Sequence, residues 1–499
     1  MLEKAMVRRI RWHILPTLNT RQYGFMPQRS NEDSLYDMIN HIRADISNKK
    51  ISVIISLDIE GAFDSAWWPA IKCGLMDKRC PPNLLKLVGS YLTERSVAVR
   101  YANKEHITET TKGCIQGSIA GPTFWNVLLD PLLAEIENYG VHIQAFADDI
   151  VLIVSDTQTH VIESKANRVL DHVYKWGVDN KLKFAPHKTQ AMVITKKLKY
   201  DTPRIRMGGK PLELVNKIKI LGLLIDDRLT FNEHIKNSIK KVANIYKPLA
   251  RAAKITWGLN SEIVRTIYLA VAEPIVLYAS SVWAKDANKW TNKKELHNLQ
   301  RGFAQKICKS YRTVSFEAAL ALASLLPLEL RAHEAAKLYE AKRGKPMELL
   351  KGREIETRIP YHQLPHPALG ASIEYISLED LNPDTVERHS IKGLSIFTDG
   401  SKTCDGVGAA LSCWKDGRET SSRKFSLAPF CSVFQAEMLA LNRATEIALS
   451  SREVSIDILS DSRSSLDLLR RHEVTHPLAL PIKKNVRIAQ TRNKKIRFF

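Results

Sequence analysis

The 499-residue sequence predicts a multidomain chain of mixed α+β and α/β class, on three observations. Two apolar, β-branched runs meet acids: Ile54-Ile55-Ser56-Leu57 ends at Asp58, and Phe146-Ala147-Asp148-Asp149 opens onto Ile150-Val151-Leu152-Ile153-Val154. A third run, Leu394 to Thr398, ends at Asp399 and is followed by a glycine-punctuated return from Gly406 to Leu411, the pattern of a hairpin. Between them Ile235, Ile239, Val242, Ile245 and Leu249 recur at the period of an amphipathic helix, with Lys236, Lys240, Lys241, Lys247 and Arg251 interleaved.

The length suits roughly two to four domains, and a 44% hydrophobic composition supplies real cores. Lys and Arg number 74 against 53 acids, a net charge of +21; a surface that positive suits phosphate binding with release of counterions. Seven cysteines contain no Cys-x-x-Cys pair, which argues against a zinc knuckle and a disulfide scaffold and fits a reducing compartment. There is no signal peptide and no apolar run of the ~18 residues a membrane span needs. The longest apolar stretch, Ala318 to Leu328, reads as a buried helix. An intracellular protein of nucleus and cytoplasm is expected, not secreted and without a membrane partner.

Two adjacent carboxylates beside a strand-like run are expected at the tip of a hairpin, holding metal ions against nucleotide phosphates. With the acid that ends the Ile54 run, they suggest a polymerase palm. Joining a 3′-hydroxyl to an α-phosphate needs a deprotonated nucleophile and a stabilised leaving pyrophosphate, which two magnesium ions roughly 3.5–4 Å apart supply. Hard cations take oxygen ligands, and clustered carboxylates stay ionised chiefly when cations occupy them. Asp58 and Asp148 are the ligands expected first; Asp149 follows on the same strand, where neighbours point to opposite faces. The plain alternative is a polar turn and a capping residue.

Further blocks accompany these acids: Gln22-Tyr23-Gly24-Phe25 with Arg29-Ser30; Ser56 to Asp64; Gly113-Cys114-Ile115-Gln116-Gly117-Ser118 with Gly121-Pro122 and Phe124-Trp125-Asn126; Asn180, Leu182, Pro186, His187, Lys188 and Thr189; and Lys219 to Asp226. Their order and spacing resemble the reverse transcriptase of non-LTR (LINE-type, type-1) retrotransposons, over most of the chain. The resemblance implies a right-hand polymerase palm with fingers and a helical thumb. It implies that Asp58, Asp148 and Asp149 bind two Mg2+ ions, with Mn2+ as a substitute. Phe63 would lie under the nucleotide sugar as a gate against a 2′-hydroxyl, with a core ring as the alternative. Gln116, Gly117 and Ser118 would cradle template and nucleotide. Lys188 would protonate the leaving pyrophosphate, with a solvated surface lysine as the alternative. Leu221 and Gly222 would form the primer-grip turn. Asp64 is expected to cap the following helix. Ile115 stands where the family usually has Pro, and Pro186 where it usually has Asn.

Near the end, Phe434 to Leu441 opens a helical stretch and Val454 to Ser462 closes a strand. Asp399, Glu437 and Asp461 come in the order of acids in a ribonuclease H, which this region resembles. The resemblance implies a two-Mg2+ cluster that cuts the RNA strand of a hybrid. It stops at Lys495-Ile496-Arg497-Phe498-Phe499, before a histidine loop and a fourth acid, so a truncated ribonuclease H-like domain with impaired cleavage is expected. Truncation is also expected before Gln22, where family members carry basic fingers residues.

The expected domains are 1–228 (fingers and palm), 229–345 (helical thumb), 346–390 (a linker marked by Pro360, Pro365, Pro367 and Pro383) and 391–499 (ribonuclease H-like). Further helices are expected over Leu296 to Ile307 and Phe316 to Tyr339. The reading is an RNA-directed DNA polymerase whose partners are RNA template, DNA primer or target, RNA–DNA hybrid and deoxynucleoside triphosphates. The alternatives are a palm polymerase of another lineage and a decayed or domesticated nucleic-acid-binding product. Ala147 and Phe63 weigh against a viral RNA-dependent polymerase, which usually has Gly and Asp there; retention of the acids weighs against decay.

Overall fold

Strand β1 (Ile51–Leu57) is buried on both faces, which is why its sequence is a nearly continuous apolar run. In the computed structural model it lies between β6 (Asp149–Asp156) and β8 (Gln190–Ile194), both antiparallel to it, with Ile54 opposite Ile153 and Met192. A hairpin joins β5 (His142–Phe146) to β6, and β11 (Glu213–Leu214) runs parallel to β8, giving the order β11-β8-β1-β6-β5. The structure describes the whole chain except residues 255, 349–352, 354, 370–372, 379–390 and 392. It divides into two units, Met1–Gly352 and Arg353–Phe499.

In the first unit, Val53, Ile55 and Leu57 pack in a core with α1 (Leu2–Ile14), α3 (Trp68–Asp77), α4 (Pro82–Tyr91), α5 (Gly121–Glu137) and α6 (Thr159–Asp179). Ile54, Val151 and Ile153 share the opposite core with α2 (Asn31–Ser47) and the helices that follow the sheet. Helix α2 begins at a capping box in which Ser30 and Asp33 satisfy each other's main-chain N–H. Short pairs surround the sheet: β2 (Ile59–Glu60) with β7 (Lys183–Phe184), β3 (Ser96–Tyr101) with β4 (Lys104–Glu109), β9 (Arg206–Met207) with β10 (Lys210–Pro211), and β12 (Lys217–Ile220) with β13 (Leu223–Asp226).

The remainder of this unit is helical: α7 (Asn232–Ala252), α8 (Ser261–Ile267), a π-helical turn at Tyr268–Ala272, α9 (Glu273–Leu277), α10 (Ser280–Ala287), α11 (Trp290–Ile307), α12 (Phe316–Leu322) and α13 (Leu328–Lys342). In α7, Ile235, Val242 and Leu249 are buried while Lys236, Lys240, Lys241, Lys247 and Arg251 are exposed, as the period requires. The helix expected over Phe316 to Tyr339 is two. Ser324 takes φ 50° and Pro327, with its fixed φ and no N–H, starts α13. The single buried helix expected at Ala318 to Leu328 goes with it: Leu322, the last residue of α12, is 68% exposed and Leu326, in the connection, 54%. No single helix among the described residues is long and apolar enough to cross a membrane.

The second unit is a five-stranded mixed sheet in the order β16-β15-β14-β17-β18, formed by β14 (Leu394–Lys402), β15 (Val407–Lys415), β16 (Arg418–Leu427), β17 (Ser455–Ser460) and β18 (Lys495–Phe498). The expected hairpin is β14–β15, and β17 joins β14 in parallel. Helices α14 (Val433–Ser450), α15 (Arg463–Arg470) and α16 (Ala479–Thr491) share a core with the sheet. Part of the expected linker belongs to this unit. Ile373 is buried in its core, and Tyr375 and Ile376 pair with Phe498, satisfying edge groups that β18 would otherwise expose. Pro383 lies outside the described residues.

Within this sheet Asp457 is fully buried and accepts two hydrogen bonds from Arg497, at 2.7 and 2.8 Å. Removing one partner of a buried pair leaves an uncompensated charge, at a cost of about 3–5 kcal/mol. Calorimetry of Arg497→Ala is expected to show the second unit unfolding at a lower temperature while the transition of the first stays in place.

Candidate functional sites

The β5–β6 hairpin turns through Ala147 and Asp148, with Phe146 paired to Asp149 and Ala147 at φ 59°. A positive φ in a two-residue loop matches the twist of the strands it joins, and it sets both acids at the tip. Leu57 pairs with Ile150, so one step further along the register Asp58 stands opposite Asp149. Burial, then the carboxylates of Asp148 and Asp58, raise the pKa of Asp149. Asp58 Oδ2 is buried without a hydrogen-bond partner, and Lys188 Nζ lies 3.6 Å away. An orphaned carboxylate oxygen beside two further acids fits a divalent cation.

Main-chain contacts, more than side chains, hold this tip. Tyr23 N–H donates to Ala145 O at 2.8 Å, Ala145 N–H to Arg21 O at 3.0 Å, and Asn126 Nδ2 to Gly24 O at 2.9 Å. A Cβ on Gly24 would fall 2.1 Å from Ala147 N, so only glycine lets these two stretches of backbone meet.

Phe63 is half-buried, its ring stacked on Trp125 at 5.3 Å and 17° and edge-on to Phe25 at 5.9 Å. Cys114 N–H donates to Phe63 O at 2.7 Å and Gly113 N–H to Ala66 O at 2.8 Å, so the loop that exposes Gln116 and Gly117 hangs from the main chain that carries Phe63. Ser118 Oγ accepts from Gly121 N–H at the start of α5. Asp64 does not cap the next helix. It sits in a 3-10 turn, Phe63–Ser65, and α3 starts beyond Trp67 with a proline in its first turn, where fewer free N–H groups need a cap.

The β2–β7 pair and a hydrogen bond from Ala185 N–H to Asp58 O, at 2.9 Å, bring the Lys188 loop to Asp58. The β12–β13 hairpin turns at Leu221 (φ 46°) and Gly222 (φ 85°). For leucine that conformation costs on the order of 1 kcal/mol. Tyr278 Oη donates to Leu221 O at 2.5 Å and steadies the turn. Sequence reasoning missed Tyr278, which lies 57 residues away and carries no local signal, and it assigned no role to Trp125 or Gly24.

In the second unit, ligand oxygens of Asp399, Glu437 and Asp461 lie within 4.8 Å of one another; among the described residues no other trio of such groups is this tight, the hairpin acids included. A Cβ on Gly400 would lie 2.5 Å from Glu437 N, so the bare backbone of β14 admits α14. Burial, then Asp461, pushes the pKa of Glu437 up to about 7 against the opposing hydrogen bond from Gly400 N–H, and Asp399 adds to the rise. Glu437 Oε2 is buried without a hydrogen-bond partner, and so also fits a cation.

The stretch that carries the paired acids on a hairpin opposite a third acid is also the stretch with a family match: residues 1–225 match the family described as reverse transcriptase (RNA-dependent DNA polymerase). The chain is similar to proteins of type-1 retrotransposable elements and of the mobile element jockey. It is 30% identical, over 70% of its length and 33% of the other's, to the 115 kDa protein of the type-1 retrotransposable element R1DM of Drosophila melanogaster. Identity is 26% to a Pol polyprotein of the type-1 element R1 of Bradysia coprophila, over 69% of this chain and 34% of that one. It is 27% to the RNA-directed DNA polymerase of the mobile element jockey of Drosophila melanogaster, over 54% and 30%. The chain thus spans about a third of the length of these curated relatives. A ribonuclease H1 structure from Halobacterium salinarum aligns with 21% of this chain and 83% of its own at 17% identity, but its TM-score of 0.19 decides nothing.

Gly24→Ala is expected to displace the acid hairpin, lowering the unfolding temperature of the first unit and its primer extension together; an unchanged melt with unchanged extension would show that the backbone yields. In the second unit, the raised pKa of Glu437 means that the folded state binds the proton more tightly than the unfolded chain. That stabilisation is complete below the ordinary value of 4.5 and is lost as pH rises through about 7. With a chelator present, melting of the second unit is expected to fall between about pH 5 and pH 8, and Glu437→Gln to remove most of the fall, since each pKa unit is worth about 1.4 kcal/mol.

Proposed function

We propose that this chain is an RNA-directed DNA polymerase that extends a DNA 3′-end on an RNA template with deoxynucleoside triphosphates. The observation that carries the reading is the juxtaposition of Asp58, at the end of β1, with the Asp148-Asp149 tip of the neighbouring hairpin. The sheet serves as palm and the helices from α7 onward as thumb, with the exposed lysines of α7 along the duplex. Residues before β1 belong to the fingers. Asp58, Asp148 and Asp149 would hold Mg2+. Held there, the metal would supply activation of the primer hydroxyl and neutralisation of charge on the pyrophosphate.

The chain's own residues do the rest. Phe63, braced by Trp125 and Phe25, offers a flat ring edge to the sugar. Gln116 and Gly117 face the nascent pair from an exposed loop, and Lys188, beside Asp58, is placed to give a proton to the leaving group. The turn at Leu221 and Gly222, fixed by Tyr278, positions the primer end. The second unit is read as a ribonuclease H-like domain that holds divalent cations on Asp399, Glu437 and Asp461. Seven free cysteines suit work in the nucleus and cytoplasm.

Asp148→Asn is expected to abolish primer extension on RNA while leaving hybrid binding nearly intact, because the phosphate-contacting cations are untouched; gel-resolved extension checks it, and undiminished product would overturn the assignment. Phe63→Val is expected to raise ribonucleotide relative to deoxynucleotide incorporation, since selectivity rests on a differential clash. Competition between the two substrates measures that ratio, and a ratio that does not move makes Phe63 a core ring.

A further inference from the structure

The C-terminal end of α5 and the first two thirds of α6 line an open groove of about 860 Å³ that no step of the polymerase reading uses. Its α6 wall carries His160, Ser164, Arg168 and His172, four residues apart and so on one face, with Lys165 beside them. The facing wall is the end of α5, with Glu135 and Tyr139. The side chains form an ordered chain: His172 Nε2 lies 2.7 Å from Glu135, Tyr139 Oη 3.3 Å from His172 Nδ1, and the Arg168 guanidinium 5.2 Å over the Tyr139 ring. Lys165 Nζ donates to Gly140 O at 2.8 Å, and its other two N–H groups are left for a ligand. Among the described residues neither Lys165 nor Arg168 is within ion-pair distance of a carboxylate, and the groove's only acid, Glu135, is engaged by His172.

We propose that this groove is a second binding site for single-stranded nucleic acid, separate from the catalytic channel. Two unpaired cations beside a tyrosine covered by a guanidinium plane combine phosphate attraction with a platform on which a base stacks, the pairing that single-strand sites use. Position separates it from the catalytic acids. Strand β6 runs from Asp149 at the hairpin tip to Asp156, and α6 begins three residues later, at the other end of the strand. Lys165 and Arg168 sit against Gly140 and Tyr139, just before β5, whose first residue His142 pairs with Ile153, four steps of about 3.3 Å from Asp149; the groove thus lies roughly 13 Å or more from the acids, beyond the Debye length of about 8 Å at physiological salt. Its cations therefore cannot serve the reacting phosphates. They are placed for the unpaired part of a template or target strand while the primer end is extended elsewhere. The proposal rests on the polymerase reading for the class of ligand alone.

The test uses the full chain and a hairpin primer–template, either with a minimal template or carrying a long unpaired extension of RNA or of DNA. Arg168→Glu changes an exposed residue, and Lys165→Ala with Arg168→Ala removes both cations. Fluorescence anisotropy is expected to show both variants binding the minimal hairpin as the parent does and losing the affinity that an extension adds. The double variant's log–log salt slope on the extended substrate is expected to fall by about 1.4, about 0.7 for each phosphate that the protein no longer neutralises. Loss with only one kind of extension names RNA or DNA as the source. Variants that keep the parent's affinity and slope on both extensions, or that weaken equally on the minimal hairpin, overturn the proposal. Extension of the minimal hairpin by the parent is scored in parallel: its failure sinks the polymerase reading and leaves the binding result standing.

Discussion

Carboxylates gathered for a metal repel one another, and in this chain close-packed main chain keeps them together. At 4.8 Å, the spacing limit met by Asp399, Glu437 and Asp461, two unit charges repel by about 3–4 kcal/mol at an effective dielectric of about 20. A flexible loop would relieve that by moving apart. Here it cannot, because a bare glycine backbone is wedged against each site: Gly24 against the Ala147 turn and Gly400 against the first turn of α14. The two clusters lie in different units and different sheets, yet they share this device. They also share its consequence, since Asp58 Oδ2 and Glu437 Oε2 are left buried without a hydrogen-bond partner.

The same economy of main-chain contacts organises the rest of the site in the first unit. The loop bearing Gln116 is tied to the carbonyl of Phe63, the loop bearing Lys188 to the carbonyl of Asp58, and the hairpin to Arg21 and Tyr23. Each reactive side chain thus inherits its position from backbone bonded to another reactive element, which is how a site keeps its geometry while its side chains stay partly exposed. The turn at Leu221 follows the same logic from the helical side, its unfavourable conformation held by Tyr278.

The net charge of +21 is not spread evenly. Lysines of α7 stand together opposite its apolar stripe, and Lys165 and Arg168 share a groove with a single acid. Some cations elsewhere are matched, as Lys183 is with Glu60 and Arg331 with Glu273. Unmatched cations cost nothing to folding in water but attract phosphate, so their placement says more about ligands than about stability.

What the sequence determined was local. The acids could be read because a strand run and the turn that ends it are contiguous, and the amphipathic face of α7 because its period lies within one helix. The capping boxes at Ser30 and Asp33 and at Ser432 and Gln435 are likewise written within four residues. Local reading failed where two local rules competed: apolar residues continue through Ser324 to Pro327, but backbone conformation breaks the helix there, and Asp64 looks like a cap beside a helix that starts later. Only the tertiary structure decided which residues meet across the chain. Tyr278 reaches Leu221, Trp125 lies under Phe63, Ile373 enters a core expected to begin after it, and Arg168 settles over Tyr139. Those contacts join elements far apart in sequence, and no periodicity or spacing records them, because packing selects them only once both partners have formed.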